Sequence, residues 1–342
     1  MAIRNPQNAK GKKMKKNGFV DLQVNGYKGI NFGSHNLSME DVHKATRALV
    51  NAGTVAFCPT ICTDELGVYE HCLKLFARAA HEPGIKGHIL GLHLEGPFIS
   101  PLEGARGAHP PKDIRKPDIE LLKRFQDWSG GNIALITLAP ETEGALALIK
   151  YAARSGMAVS MGHHFAEDAV LEAAVRAGAR ACTHLGNGMP NMINRHNNPL
   201  WWQLACDDVY GMFITDGHHL PADLIKTVLR AKPPDKFIVV SDSVDLAGLP
   251  PGDYEFIGRK VTLAPSGRIS FSGTPYLAGS SANMIQCMNH LASLKLLDEK
   301  RLWQVARDNP LRLLGRKPSA LDKLGGPRVE FKNNRFSVKR RA

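Results

Sequence analysis

Eight short apolar segments separated by helical stretches constrain this chain more than anything else in it. They are Phe19–Gly26, Val55–Thr60, His88–Glu95, Ile133–Ala139, Ala158–His163, Ala181–Leu185, Tyr210–Asp216 and Phe237–Asp242. Most are runs of Val, Ile, Leu and Phe, the pattern of strands buried on both faces of a parallel sheet. Helical patterns fill most of the intervals, at Ser38–Ala52, Glu65–Ala80, Asp118–Asp127, Glu141–Ser155, Glu167–Ala177 and Ala222–Ala231. The first opens on Ser38-Met39-Glu40-Asp41, a capping box with Asp in place of Glu. Gly53, Gly156 and Gly178 stand where helices end. Eight strands alternating with helices predict an α/β fold, a (β/α)8 barrel of the TIM type. At 342 residues the chain is long enough for one such domain.

Two stretches break the alternation. Residues 97–117 read as a long Gly/Pro/His loop after the third strand, and residues 186–205 as another after the sixth. Loops of this length in a compact domain are usually functional. Beyond the eighth strand, Val261–Ser272 reads as a hairpin around Pro265-Ser266-Gly267. Helices follow at about 280–297 and 299–314, and Pro327–Val338 has room for two strands. The expected domains are a disordered basic tail at 1–17, the barrel at 18–314 and a basic extension at 315–342.

The net charge of +12 suggests nucleic acid until it is located. Residues 1–17 hold six Lys/Arg and no acid, and residues 323–342 hold seven with one acid, Glu330. The body between them carries equal numbers of acidic and basic residues. A neutral body with basic ends argues against a specific nucleic-acid partner. No apolar run approaches the ~20 residues a membrane helix needs, and no apolar core follows the basic N-terminus as in a secretory signal. Six scattered cysteines without a C-x-x-C fit reduced thiols and a cytoplasmic location.

Three strand ends carry metal-ligand chemistry. Glu95 closes Gly91-Leu92-His93-Leu94-Glu95, where Gly96-Pro97 stops the strand. His163 and His184 close two later strands. In a parallel barrel all such ends open onto one face, so residues distant in sequence converge. Taken singly, each histidine is more economically read as a hydrogen-bonded structural residue. Together the three form a ligand set that leaves a catalytic metal one open position. Two nitrogens and a carboxylate suit one Zn2+, with Fe2+, Co2+ or Mn2+ as alternatives. Asp242 ends the eighth strand on the same face. Asp there is often only a cap, but opposite the metal ligands it reads as a general base toward water. Asn187-Gly188, Arg195 and His219 form a weaker anion-site signal. Gly188 allows close backbone approach, and Arg offers a planar fork to phosphate. His109, in the first long loop, has no local support for a role.

In this order and spacing the residues resemble the N-acetylglucosamine-6-phosphate deacetylases of the amidohydrolase superfamily. The resemblance runs from about Gly18 to Leu314. It rests on His93-Leu94-Glu95-Gly96-Pro97, Gly107-Ala108-His109, Gly162-His163, Thr183-His184-Leu185-Gly186-Asn187-Gly188-Met189-Pro190, Asp216-Gly217-His218-His219, Ser241-Asp242 and Leu277-Ala278-Gly279-Ser280. It implies that Glu95, His163 and His184 hold the metal and that Asp242 is general base, then acid. His109 would hydrogen-bond the acetamide carbonyl. Asn187, Gly188, Arg195 and His219 would bind the sugar phosphate, and Leu277 and Ala278 would line the sugar and acetyl pocket. The resemblance also implies a homodimer, with Arg195 contributed across the interface.

Two features depart from that pattern. Many amidohydrolases carry His-x-His at the end of the first strand and bind a second metal there. This chain has Gln23-Val24-Asn25, which implies a single metal. The chain ends are also short, which implies a truncated or vestigial small β-domain. Three alternatives follow: a deacetylase of another N-acyl amino-sugar phosphate such as N-acetylgalactosamine 6-phosphate, a non-catalytic sugar-phosphate-binding barrel, and nucleic-acid binding through the tails.

Overall fold

The computed structural model describes residues 16–274 and 277–339. Eight parallel strands run in chain order around one sheet: β1 (Phe19–Val24), β2 (Thr54–Cys62), β3 (Leu92–Glu95), β4 (Ile133–Leu138), β5 (Ala158–Met161), β6 (Ala181–Cys182), β7 (Tyr210–Ile214) and β8 (Phe237–Val240). The ring closes where Val24 pairs in parallel with Ser243, just past β8. The (β/α)8 barrel is therefore the observed fold.

Helices α1 (Met39–Asn51), α2 (Leu66–Ala79), α3 (Ile119–Trp128), α4 (Ala145–Arg154), α5 (Asp168–Ala177), α6 (Pro199–Ala205) and α7 (Ala222–Ala231) surround the strands. The capping box at Ser38 forms, with Asp41 returning the hydrogen bond. Helix α4 starts later than the sequence pattern suggests, because Gly144 sits in the left-handed region at φ 86°. The second long loop is not wholly irregular. Asn198 caps the short α6, and Pro199 occupies its first turn, where a missing N–H costs nothing. After α8 (Met284–Ser293), the expected 299–314 helix forms as α9 (Glu299–Trp303), a π turn (Gln304–Asp308) and α10 (Asn309–Leu313). Pro310 cannot donate to the preceding turn, and a widened turn accommodates it.

Side chains alternate between barrel lumen and helix layer along most strands. On β4, Leu135 and Thr137 face the lumen while Ile136 and Leu138 join the outer core. The lumen is stacked. Its floor is apolar, with Val20, Leu22, Ala56, Cys58, Leu135, Met212, Ile214, Ile238 and Val240. Above it lies a hydroxyl and imidazole layer. His93 Nδ1 meets Thr60 Oγ1 at 3.2 Å, His93 Nε2 meets Thr137 Oγ1 at 2.8 Å, and Thr137 Oγ1 meets Thr183 Oγ1 at 2.7 Å. Every member is paired, so the layer is buried without orphaned groups. The functional rim rests on it.

Two small β elements follow the barrel. Strands β9 (Gly252–Phe256), β10 (Arg259–Leu263) and β11 (Ile269–Phe271) form an antiparallel sheet with its own apolar cluster. The sequence pattern anticipates β10 and β11 but not β9. The hairpin β12 (Arg328–Lys332) and β13 (Arg335–Lys339) docks on the barrel. Its Phe336 packs edge-on against Phe19 and Trp303, with ring centroids 5.0 and 5.3 Å apart. Most of the expected basic tail, residues 1–15, lies outside the described residues. Lys16 and Asn17, assigned to that tail from sequence, belong to the folded body. Lys16 O accepts from Val329 N at 3.1 Å, and Asn17 Nδ2 donates to Leu321 O at 2.6 Å. Among the described residues no helix is long and apolar enough to cross a membrane.

Candidate active site

The C-terminal rim encloses a cavity of about 350 Å3 whose wall includes Glu95, His109, His163, His184, Asn187, Gly188, His219, Asp242 and Leu277. Residues from seven parts of the chain meet there because parallel strands end on one side. Three of them sit in left-handed backbone: His163 at φ 53°, His184 at φ 28° and Asp242 at φ 50°. Non-glycine residues occupy that region at a cost and cluster at functional sites. Here the turn bends each side chain from its strand end over the mouth.

Glu95, His163 and His184 form a tight triangle. Glu95 Oε1 lies 3.1 Å from His163 Nε2 and 2.9 Å from His184 Nε2, and the two nitrogens are 3.0 Å apart. A tetrahedral ion with bonds of about 2.0–2.1 Å holds its ligand atoms about 3.3 Å apart, so the spacing suits one small cation. The donor chemistry agrees. His163 Nδ1–H donates to Ala105 O at 2.9 Å, which leaves the Nε2 lone pair facing the triangle. Burial alone would raise the Glu95 carboxyl; with His163 and His184 protonated, their hydrogen bonds and charge outweigh it and hold it well below the usual range, the place a cation takes when the rings are neutral. For His184, burial pulls downward and is overcome by the Glu95 hydrogen bond and charge, which raise it.

A second cluster of Cys62, Glu95 and His109 also converges. It is the poorer ligand set. Thr63 N donates to His109 Nδ1 at 3.4 Å, which places the ring proton on Nε2, the nitrogen facing His163 at 3.3 Å. His109 is thus a donor at the mouth. Burial, with His163 next, pushes its pKa down to about 3, so it is neutral at pH 7.

Asp242 lies at the same mouth. Burial, reinforced by the charge of Glu95, pushes its carboxyl up to about 7. Asn25 Nδ2 donates to its Oδ1 at 2.7 Å. A carboxyl poised near neutrality beside a ligand set is equipped to exchange protons.

In the same cavity His219 is fixed by Asp216, whose Oδ2 accepts from Nδ1–H at 2.8 Å. The Asp216 carboxyl sits at about 2, because hydrogen bonds and charge from His219 override the upward effect of burial. Asn187 and Gly188 line the mouth beside the two histidines, and a Cβ on Gly188 would stand 2.9 Å from His184 Cε1 and 3.0 Å from His163 Nδ1. Two expected residues are not in the wall. Ala278 is buried behind Leu277, in the small apolar cluster with Val261 and Ile269. Arg195 is exposed on its loop, away from its own chain's cavity, and its carbonyl accepts from Trp201 Nε1. Conversely, Cys62, Thr63, Phe256 and Ile257 line the cavity with no motif to announce them. Gln23 and Asn25, set aside as metal ligands, are both present as donors.

A parallel barrel with a His/His/Glu cluster that could hold a metal and an aspartate in the same cavity at its C-terminal rim defines the class: a metal-dependent hydrolase of the amidohydrolase kind. No family model matches the sequence. The N-acetylglucosamine-6-phosphate deacetylase of Bacillus subtilis (strain 168) is 34% identical over 301 residues, 87% of this chain and 74% of that protein. The chain belongs to the N-acetylglucosamine-6-phosphate deacetylase family. The crystal structure of the Mycobacterium smegmatis enzyme superposes with a TM-score of 0.84 at 26% identity, covering 99% of this chain and 90% of that one. A mutant of the same enzyme is known in complex with N-acetyl-D-glucosamine-6-phosphate. The N-acetylgalactosamine-6-phosphate deacetylase of Escherichia coli O157:H7 is 28% identical over 87% of this chain and 77% of its own length.

Proposed function

We propose that this chain hydrolyses the acetamide of N-acetyl-D-glucosamine 6-phosphate to D-glucosamine 6-phosphate and acetate, a step of amino-sugar catabolism. The observation that carries the reading is the Glu95/His163/His184 triangle facing Asp242 and His109 in one cavity, in a chain of this family. Glu95, His163 and His184 hold one divalent ion, Zn2+ by donor type, with Fe2+, Co2+ or Mn2+ compatible. Bound there, such an ion supplies Lewis acidity and makes water a nucleophile near neutral pH.

The chain's own groups do the rest. Asp242 takes the proton of the attacking water and returns it to the departing amine nitrogen. His109 Nε2–H donates to the amide oxygen as negative charge grows on it, which is where a fixed donor contributes most. The 6-phosphate takes no part in bond making. Asn187, the Gly188 backbone and His219 grip it and hold the amide in register. Arg195, exposed on its own subunit, completes that anion site in a second copy, so the working unit is a homodimer. The six free thiols support a cytoplasmic location.

The test is acetate release from N-acetyl-D-glucosamine 6-phosphate with and without a chelator. The galactosamine epimer and both unphosphorylated sugars run alongside. Chelator-sensitive release that prefers the phosphorylated glucosamine substrate is expected. Unimpaired turnover in Asp242→Asn would remove the proposed base, and an intact preference for phosphate in Arg195→Ala would remove the shared anion site. A faster reaction with the galactosamine epimer would move the substrate to that of the E. coli relative.

A further inference from the structure

We propose that Asn25 and Cys62 are positioning residues that aim the Asp242 carboxylate, an inference that rests on Asp242 being the general base. Two carboxylates, Glu95 and Asp242, share the mouth of the lumen, and each raises the cost of ionising the other. Strand β1 and the residue just past it bring one neutral amide to each. Gln23 Nε2 donates to Glu95 Oε1 at 2.8 Å, and Asn25 Nδ2 donates to Asp242 Oδ1 at 2.7 Å. The same strand grips the Asp242 backbone, whose N–H donates to Gln23 O at 3.0 Å. Asp242 is thus tied to β1 at both ends.

Asparagine is a poor clamp by itself. Its amide is nearly symmetric in shape, and a half-turn would present oxygen to the carboxylate. Cys62 limits that freedom. Its thiol donates to Asn25 Oδ1 at 3.1 Å and has Glu95 Oε2 within 3.4 Å. With Asp242 ionised, the amide nitrogen must face the carboxylate, and Asn25 Oδ1 then meets the thiol, whose single proton it shares with Glu95 Oε2. The order is Cys62 S–H to Asn25, then Asn25 N–H to Asp242. The relay runs from Cys62 at the end of β2, through Asn25 just past β1, to Asp242, two residues beyond β8.

A register irregularity makes room for it. Pairing between β1 and β2 shifts between Asp21 and Val24. Val20 and Leu22 already face the lumen, so strict alternation would send Gln23 outward. The bulge turns it in, where its amide meets Glu95.

The experiment is steady-state kinetics and metal analysis of the full-length, metal-loaded protein carrying Asn25→Ala, Asn25→Ser, Cys62→Ala or Cys62→Ser. In Asn25→Ala, kcat should fall about 10- to 100-fold, the usual effect of losing an orienting partner. KM should stay within about twofold, because the Asn25 amide proton is engaged by Asp242 Oδ1 even though Asn25 and Cys62 both line the cavity. Metal content should remain one per chain. The acid limb of the kcat profile should move to higher pH, because a donor to the ionised carboxylate has been lost. Cys62→Ala should lose about 2- to 10-fold, one neutral hydrogen bond, and Cys62→Ser, which keeps a donor, should recover most of it. If Asn25→Ala does not fold, Asn25→Ser and the Cys62 pair carry the same readouts. An acid limb that stays in place, or equal losses in Cys62→Ala and Cys62→Ser, overturns the relay. Full turnover in Asp242→Asn would instead show that the base has been misassigned.

Discussion

Gly188 offers the sharpest test of how the rim is built. Its φ is +61°, and a Cβ there would meet His184 Cε1 at 2.9 Å and His163 Nδ1 and Cε1 at 3.0 and 3.1 Å. Gly188→Ala therefore acts in two separable ways. The left-handed backbone costs a side chain about 1–2 kcal/mol, which appears as lost stability of the metal-free protein. Carbon contacts settle at about 3.5–4.0 Å, so both imidazoles must also withdraw by about half an ångström. Metal sites tolerate displacements of only about 0.2 Å. Disturbing the support of a ligating histidine typically weakens metal binding 10- to 100-fold. Gly186→Ala is the control. Gly186 also has positive φ, +94°, but its Cβ would meet only Leu220 Cδ2 at 3.4 Å, far from either ring. Competition against a chromophoric chelator should show weaker metal binding in Gly188→Ala and near-normal binding in Gly186→Ala. Denaturant melts of the metal-free forms should show comparable losses. Equal metal affinity in the two variants would refute the claim that the glycine makes room for the ligand rings.

Other expectations are simpler. Glu95→Gln removes the proposed anionic ligand, so metal content should drop well below one per chain along with the rate; content near one per chain means the ligand is misassigned. Asp242, the proposed base, must be ionised to act, so kcat should rise with pH through an acid limb. That limb should lie below about 7, because a nearby cation counters the burial and the Glu95 charge that raise Asp242; a rate that falls between pH 5 and 7 contradicts this. Burial pushes Asp21 up to about 6, despite hydrogen bonds from Ser241 and Gln23. The folded state then binds more protons than the unfolded one between about pH 4 and 6. This group's contribution to stability therefore falls as pH rises across that window. Denaturant unfolding at pH 5 and 7 should show a smaller pH difference in Asp21→Asn than in the unsubstituted protein, and an equal difference would mean that Asp21 does not titrate there.

Much of the site is legible in the sequence. Glu95, His163, His184 and Asp242 each close an apolar run, and parallel strands can end only on one rim. Local chemistry likewise announced the capping box at Ser38 and the glycines beyond α1 and α4. Elsewhere local pattern was insufficient. Helix α6 hides in a polar, Pro- and Asn-rich stretch and forms through its cap and its packing. His109 lacked any local signal, and its tautomer depends on Thr63 N–H, a group forty-six residues away in sequence.

The sequence by itself determined the barrel, its rim and the residues that reach it, because periodicity and strand termination are local properties. Tertiary structure alone decided which rim residues touch. Whether Gln23 points in or out turns on one register shift against β2. Cys62 reads as one of six scattered cysteines, just past the second apolar segment, until the fold sets it 3.1 Å from Asn25. Ala278 reads as a wall residue until the small sheet covers it. Hydrogen bonds of this kind require fractions of an ångström and tens of degrees. A one-dimensional pattern carries neither, and only the closed ring supplies both.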